Sequence, residues 1–221
     1  MTNIIADVAG QYKALIQLVG QLPKGDLVFL GDLVDRGPDS KRVLDFVIKN
    51  NYKCVLGNHE HMLLDHCRRG GFYNRDVWLW NGGGATLESF DTTRQLQNPI
   101  PNEYLDWIDK LPKYLEIDNC LISHAFPRPD RIDDQDIIKE MCEFGRNIWE
   151  KDETTIIWNR SQPVRRSSWR LQICGHNSQF GLRRWEDEQG TYAICLDDSR
   201  RKVLTGYVLE TGEVFQQKYI P

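Results

Sequence analysis

The chain has 221 residues, 40% of them hydrophobic, enough to bury one sizeable core, so a single unit over 1–221 is expected. Its formal net charge is -4 with acids and bases intermixed, which leaves no basic stripe for a nucleic-acid backbone, and no apolar run approaches membrane-spanning length. The opening Met1-Thr2-Asn3-Ile4-Ile5 lacks the charged and apolar regions of an export signal. A cytoplasmic protein without stable nucleic-acid or membrane partners is therefore expected. Six cysteines (Cys54, Cys67, Cys120, Cys142, Cys174 and Cys195) lie in apolar stretches without paired spacing and read as buried, reduced thiols.

Ile4-Ile5 reads as a short first strand. From Tyr12, Leu15, Leu18, Val19 and Leu22 recur at helical spacing until Pro23 stops the pattern. Asp26 to Leu30 reads as a fully buried strand, Val43 to Ile48 as a second helix after a Gly/Asp/Pro-rich turn, and Lys53 to Leu56 as a third strand. This alternation predicts an α/β fold with a parallel sheet. Farther on, a hairpin is expected over Tyr114 to Ser123 around Asp118-Asn119, with strands at Leu171 to Cys174 and Thr191 to Leu196. A terminal hairpin is expected from Val203 to Tyr219, turning at Thr211-Gly212. The charged stretch at about 126–170 suggests an excursion over a site.

Each predicted strand up to Thr191–Leu196 is followed by a side chain able to bind metal or move a proton: Asp7, Asp32, Asn58-His59, His124, His176 and Asp197. In open α/β sheets ligands bind outside the carboxyl ends of the strands, so these groups should gather in one crevice. Mixed carboxylate, amide and imidazole donors suit Mn2+, Fe2+ or Zn2+ better than Ca2+. Two such ions side by side would favour hydrolysis at phosphorus.

Gly31-Asp32-Leu33-Val34-Asp35-Arg36-Gly37 and Gly57-Asn58-His59-Glu60 resemble two signature motifs of the phosphoprotein phosphatase family. Ala6-Asp7-Val8-Ala9-Gly10-Gln11 resembles a variant of the opening Gly-Asp-x-His-Gly motif. Leu121 to Ala125 and Cys174-Gly175-His176-Asn177 resemble the two later histidine motifs. Trp78 to Gly84, Trp158-Asn159-Arg160 and the closing strands are similar to the phage lambda type. The resemblance implies a calcineurin-like metallophosphoesterase sandwich, with β-sheets flanked by helices and the site at strand C-terminal ends. It implies two divalent ions, most readily Mn2+: Asp32 bridges them, Asn58, His124 and His176 complete one site, and Asp7 belongs to the other. His59 would be the general acid, oriented by Asp35, with Arg36 and Arg160 on phosphate oxygens. The implied reaction is hydrolysis of phosphate monoesters, with phosphoserine or phosphothreonine in proteins, or a small phosphoester, as substrate.

Several positions stay open. Arg165 or Arg166 could serve in place of Arg160. Gly82-Gly83-Gly84 could cradle a phosphate or form a tight turn. Asp197 could act behind the ligands or only shape its turn, and His61 and His66 read as solvated helix residues. Ala9 stands where the resemblance expects a histidine ligand, and a methyl group cannot bind a metal, so the first ion site should be weakened. Ala9 fits a substitution that disables the enzyme, a natural variant with one tight ion, or a non-catalytic protein that captures phosphorylated partners. Other hydrolase readings are a symmetrical dinucleoside tetraphosphate hydrolase or a cyclic-nucleotide phosphohydrolase. The first of these relatives carries alanine in place of Asp35 and aspartate in place of Glu60.

Overall fold

The computed structural model describes residues 1–69, 75–91, 100–127, 156–163 and 166–221. In chain order they form β1 (Thr2–Ile5), α1 (Tyr12–Gln21), β2 (Asp26–Phe29), α2 (Ser40–Lys49), β3 (Lys53–Cys54), α3 (Asn58–Leu64), α4 (Arg75–Trp78), α5 (Gly84–Ser89) and α6 (Asn102–Asp109). Then follow β4 (Tyr114–Ile117), β5 (Cys120–Ser123), β6 (Leu171–Cys174), β7 (Arg183–Asp187), β8 (Gly190–Cys195), β9 (Val203–Val208) and β10 (Val214–Lys218). The strands make two five-stranded mixed sheets, ordered β10-β9-β1-β2-β3 and β4-β5-β6-β8-β7. In the first, β1, β2 and β3 run parallel; in the second, β5, β6 and β8 do.

Period-two alternation explains the layering. Ile4, Val28 and Leu30 project into a core shared with Cys120, Ile122, Leu171, Ile173, Ile194 and Leu196 of the second sheet. Their neighbours Ile5, Leu27 and Phe29 point the other way, into a core with Leu15, Leu18, Val43, Leu44, Val47 and Met62 of the helices. Burial on both faces favours apolar runs such as Ile4-Ile5-Ala6 and Leu27 to Leu30, with Asn3 a buried polar exception in β1 whose amide donates to Pro23 O. The outer face of the second sheet packs Cys174, Trp185, Tyr192 and Cys195 around Phe126.

The expected α/β sandwich is present, and local differences have simple causes. Helix α1 stops at Gln21 because Leu22, held extended (ψ 148) before Pro23, cannot continue it. β3 is shorter than the apolar run, since Leu56 N–H leaves the sheet to donate to Pro112 O at 2.8 Å. Asp118 and Asn119 both take left-handed φ values (49 and 58) and close the β4–β5 hairpin with Ile117 opposite Cys120. β7 was not expected: it is an edge strand with Trp185 its only buried residue, flanked by charged residues that mask strand periodicity. Cys54, Cys120, Cys174 and Cys195 are buried free thiols and Cys67 is half-buried; Cys142 lies outside the described residues. Most of the expected excursion at 126–170 also lies outside them. Among the described residues no helix is long and apolar enough to cross a membrane.

Candidate active site

The loops leaving β1, β2, β3, β5, β6 and β8 bring Asp7, Asp32, Asn58, His59, His124, His176 and Asp197 to one end of the sandwich, all of them buried. Several loop residues are left-handed despite having side chains: Ala9 (φ 47), Asp32 (φ 49), Asp35 (φ 70), Arg36 (φ 64) and His176 (φ 62). Such conformations cost on the order of 1 kcal/mol or more each and gather where geometry serves a site. Gly175 is required for a different reason: a Cβ there would lie 1.9 Å from Asp7 Oδ1. Without that Cβ, His176 N–H reaches the Asp7 carboxylate at 3.0 Å.

At the centre, lone pairs face one another. His124 Nδ1 is 2.6 Å from Leu30 O and His176 Nε2 is 3.3 Å from Trp158 O, so each outer nitrogen carries the proton it donates to a carbonyl. The inner nitrogens, His124 Nε2 and His176 Nδ1, then present lone pairs, and they lie 2.9 and 2.8 Å from Asn58 Oδ1. His124 Nε2 is also 3.3 Å from Asp32 Oδ1. Ligand atoms of Asp7, Asp32 and His124 lie within 4.8 Å of one another. Burial pushes the Asp7 carboxyl well above its ordinary value, and the charges of Asp197 and Asp32 push it further. Burial raises Asp197 too. At Asp32 burial acts in the same direction, but His124 and His59 outweigh it and hold the carboxyl at about 2. Burial, then His124 and Arg160, drives His176 well below the usual imidazole range, keeping it neutral. Buried carboxylate oxygens, an amide oxygen and imidazole nitrogens converging on one point are the donor set a divalent cation requires.

Beside this cluster, His59 Nδ1–H donates to Asp35 Oδ2 at 2.6 Å, both residues being buried. Asp35 also accepts from Trp78 Nε1 at 3.0 Å and Thr86 Oγ1 at 2.6 Å. Burial tends to lower the His59 imidazole, yet Asp32 and the Asp35 hydrogen bond raise it on balance. His59 Nε2 lies 3.8 Å from Asp32 Oδ2, so the ring faces the cluster. Glu60, at the third helical position, reaches back to Gly57 N–H and also accepts from Asp32, Leu33 and Val34 N–H at 2.7 to 3.3 Å. It fastens the Asp32 loop to the start of α3. Burial and the nearby Asp32 push its carboxyl up to about 7.

Ala9, Arg36, Arg160, Arg200 and Tyr219 line a cleft of ≈ 380 Å³ next to these groups. Arg160 is therefore at the site, whereas Arg166 is held by Asp187 at 2.7 Å; Arg165 lies outside the described residues. Gly82 (φ 105) accepts Arg36 N–H at 3.1 Å and a Cβ on Gly83 would strike the Trp78 ring, so the glycine triplet is a tight turn. Asp197 shapes its own turn through Ser199 N–H at 2.9 Å. The expectation of solvated His61 and His66 is not met: His61 is fully buried, edge-on to Trp158, and the half-buried His66 ring lies 4.7 Å from Trp78. The leucines at the end of α3 pull that helix into the core on several sides, and His61 goes with them. Sequence reasoning missed Trp78, Thr86, Arg200 and Tyr219 as individual site residues, because none sits directly after a strand in a recognisable motif.

A sequence model described as calcineurin-like phosphoesterase matches residues 2–197. Serine/threonine-protein phosphatase 2 of Escherichia coli (strain K12) is 33% identical over 134 residues, covering 58% of this chain and 57% of that protein. A symmetrical bis(5'-nucleosyl)-tetraphosphatase of Marinomonas sp. (strain MWYL1) is 28% identical over 207 residues, covering 82% of this chain and 70% of that one. The chain thus spans little more than half the length of the first relative. Among solved structures, one titled a putative diadenosine tetraphosphatase superposes with a TM-score of 0.67 over 100% of this chain and 94% of its own. At 21% identity that likeness speaks to the fold alone.

Proposed function

The chain belongs to the calcineurin-like phosphoesterase family, and from that premise we propose that it hydrolyses phosphate monoesters, with phosphoserine and phosphothreonine in proteins as substrates. The observation that carries this reading is the buried His59–Asp35 pair at 2.6 Å, with the other face of the ring turned toward Asp32. That is the arrangement of a general acid whose orientation is fixed before substrate arrives.

In this reading Asp32, Asn58, His124 and His176 would hold one divalent ion, and Asp7 and Asp32 would hold a second more weakly, because Ala9 offers no ligand. Bound ions, Mn2+ by preference, supply the positive charge that acidifies a water and neutralises phosphate oxygens. Arg36 and Arg160 grip the phosphoryl oxygens. Water oxygen bonds to phosphorus and releases its proton to solvent as the ester P–O bond breaks, while His59 Nε2–H gives its proton to the departing oxygen and regains one from solvent. Accepting from Nδ1–H, Asp35 fixes the ring's orientation and favours the doubly protonated imidazolium, the form that can donate from Nε2.

The relative named as a symmetrical tetraphosphatase aligns over more of the chain and supports a second reading, hydrolysis of a dinucleoside tetraphosphate. Asp35 and Glu60 favour the first, since that subgroup's motifs carry alanine and aspartate there. The test is turnover of p-nitrophenyl phosphate, a phosphopeptide and a dinucleoside tetraphosphate with Mn2+, for the chain and for Ala9→His. Ala9→His should raise turnover at least about 10-fold, in line with the effect of even indirect ligand losses on metal sites. Tight phosphopeptide binding without hydrolysis by either protein would instead mark a capture module.

A further inference from the structure

The cleft beside Ala9 is larger than the phosphoryl group that Arg36 and Arg160 would grip. At ≈ 380 Å³ it falls within the range, about 300–1,000 Å³, that takes a whole small ligand. Beyond those two arginines its wall is formed largely by Ser178, Gln179, Ser199 and Arg200. That part offers neutral hydrogen-bonding groups and one cation, and no acidic residue lines the cleft. In a chain of net charge -4, three arginines around one space are a local excess of positive charge. The backbone carrying Arg200 is fixed: it lies in a 3-10 turn, Ser199–Arg201, just past buried Asp197. Asp197 Oδ1 accepts Ser199 N–H, Asp198 O accepts Arg201 N–H and Ser199 O accepts Lys202 N–H, each at 2.9 Å. The turn therefore holds the stem of Arg200 in a set position relative to the strand ends that carry the site.

When a phosphorylated side chain of a peptide sits on Arg36 and Arg160, the rest of the cleft takes the residues beside it, and the wall there decides which are favoured. We infer that Arg200 is a specificity-determining residue, taking the carboxylate of an acidic side chain adjacent to the phosphorylated residue of a protein substrate. A guanidinium binds a carboxylate through two charge-assisted hydrogen bonds, and complementary charge of this kind selects among partners. The inference rests on the phosphoesterase reading and deepens it by naming the sequence around the phosphate that the cleft selects.

Isothermal titration of the full chain, with free Mn2+ fixed and in excess, tests it with peptides whose phosphoserine has a methylene in place of the ester oxygen, so that nothing is hydrolysed. One peptide carries glutamate on both sides of that residue, the other glutamine, and methylphosphonate reports the phosphoryl contacts alone. The glutamate peptide should bind about fivefold tighter, the size of a favourable ion pair at a partly open site, and the preference should shrink as salt rises. Arg200→Ala, at an exposed position that does not endanger folding, should make the two peptides bind alike while leaving the glutamine peptide and methylphosphonate unchanged. Arg200→Glu should turn the preference toward a lysine-flanked peptide. Equal affinities in the native chain, or a preference that survives Arg200→Ala and so comes from chelation, would overturn the role of Arg200 and leave the phosphoesterase reading standing. So would a joint loss of both peptides and methylphosphonate in Arg200→Ala, which would put Arg200 on the phosphoryl group itself. If methylphosphonate binds and neither peptide does, the substrate is not a protein, and the role of Arg200 falls with that reading. If no probe binds, Arg36 and Arg160 do not hold a phosphoryl group, and both ideas fall.

Discussion

Two neighbouring regions of this site are built on opposite terms. Around Asp35, His59 and Glu60 the buried groups have partners within the protein: Asp35 accepts from three side chains and Glu60 from four backbone N–H groups. Around Ala9, by contrast, Arg36, Arg160 and Arg200 line an open cleft without carboxylate partners among the described residues. The first region is complete before anything binds, so its geometry costs nothing to assemble at the moment of reaction. The second is completed only by a ligand. The contrast separates what positions the chemistry from what selects its substrate.

The sharpest way to break this contrast is to remove Glu60. Glu60→Ala leaves buried N–H groups of Asp32, Leu33 and Gly57 unsatisfied and frees the Asp32 loop from α3. The expected loss is on the order of 4 kcal/mol in urea unfolding, from several charge-assisted hydrogen bonds lost together. A loss under about 1 kcal/mol would mean that the first region is not held together as described. Asp35→Asn tests the same region on function. It should lower turnover about 100-fold, a usual share for a general acid, while Mn2+ affinity stays within a few-fold. If instead Mn2+ affinity collapsed and turnover at saturating metal recovered, Asp35 would serve the metal centre and not His59.

The same contrast explains how much could be read in advance. Strands β1, β2, β5 and β6 were legible because burial on both faces makes most of their residues apolar, and the side chains just past them announce a crevice. Asp32, Asn58, His59, His124 and His176 all lie there, and the structure brings them together. The supporting groups were not legible in this way. Trp78 and Thr86 reach Asp35 from a helical segment remote in sequence, and an indole or hydroxyl in an apolar helix looks like ordinary core. Arg200 reaches the cleft from the β8–β9 connection and Tyr219 from just past β10, and neither lies in a motif that marks it. His61 was misjudged because helical periodicity assigns a face only when the neighbours of that face are known, and Trp158 covers it from beyond residue 150.

A third location shows what should move neither region. Asp45 on α2 accepts from Lys41 Nζ at 3.0 Å and Tyr104 Oη at 2.9 Å, away from the cleft. Partial burial raises its carboxyl, but those two hydrogen bonds and the lysine charges outweigh it, and the net shift is downward. A carboxylate depressed in the folded state contributes stability above its unfolded value of about 3.9, and that contribution disappears as pH falls through the folded value. Lys41, raised by Asp45 and Tyr104, behaves oppositely: its share is present below about 10.4 and is lost as pH rises past its folded value. Because Lys41 and Asp45 are only partly buried, with side chains 42% and 24% exposed, solvent screens the pair and it is worth under about 1 kcal/mol. Asp45→Asn should therefore lower stability by less than that at pH 7 and by nothing measurable near pH 2, with turnover of p-nitrophenyl phosphate unchanged. If Asp45→Asn cost as much as Glu60→Ala, complete partnering inside the site would no longer distinguish the first region from an ordinary surface contact.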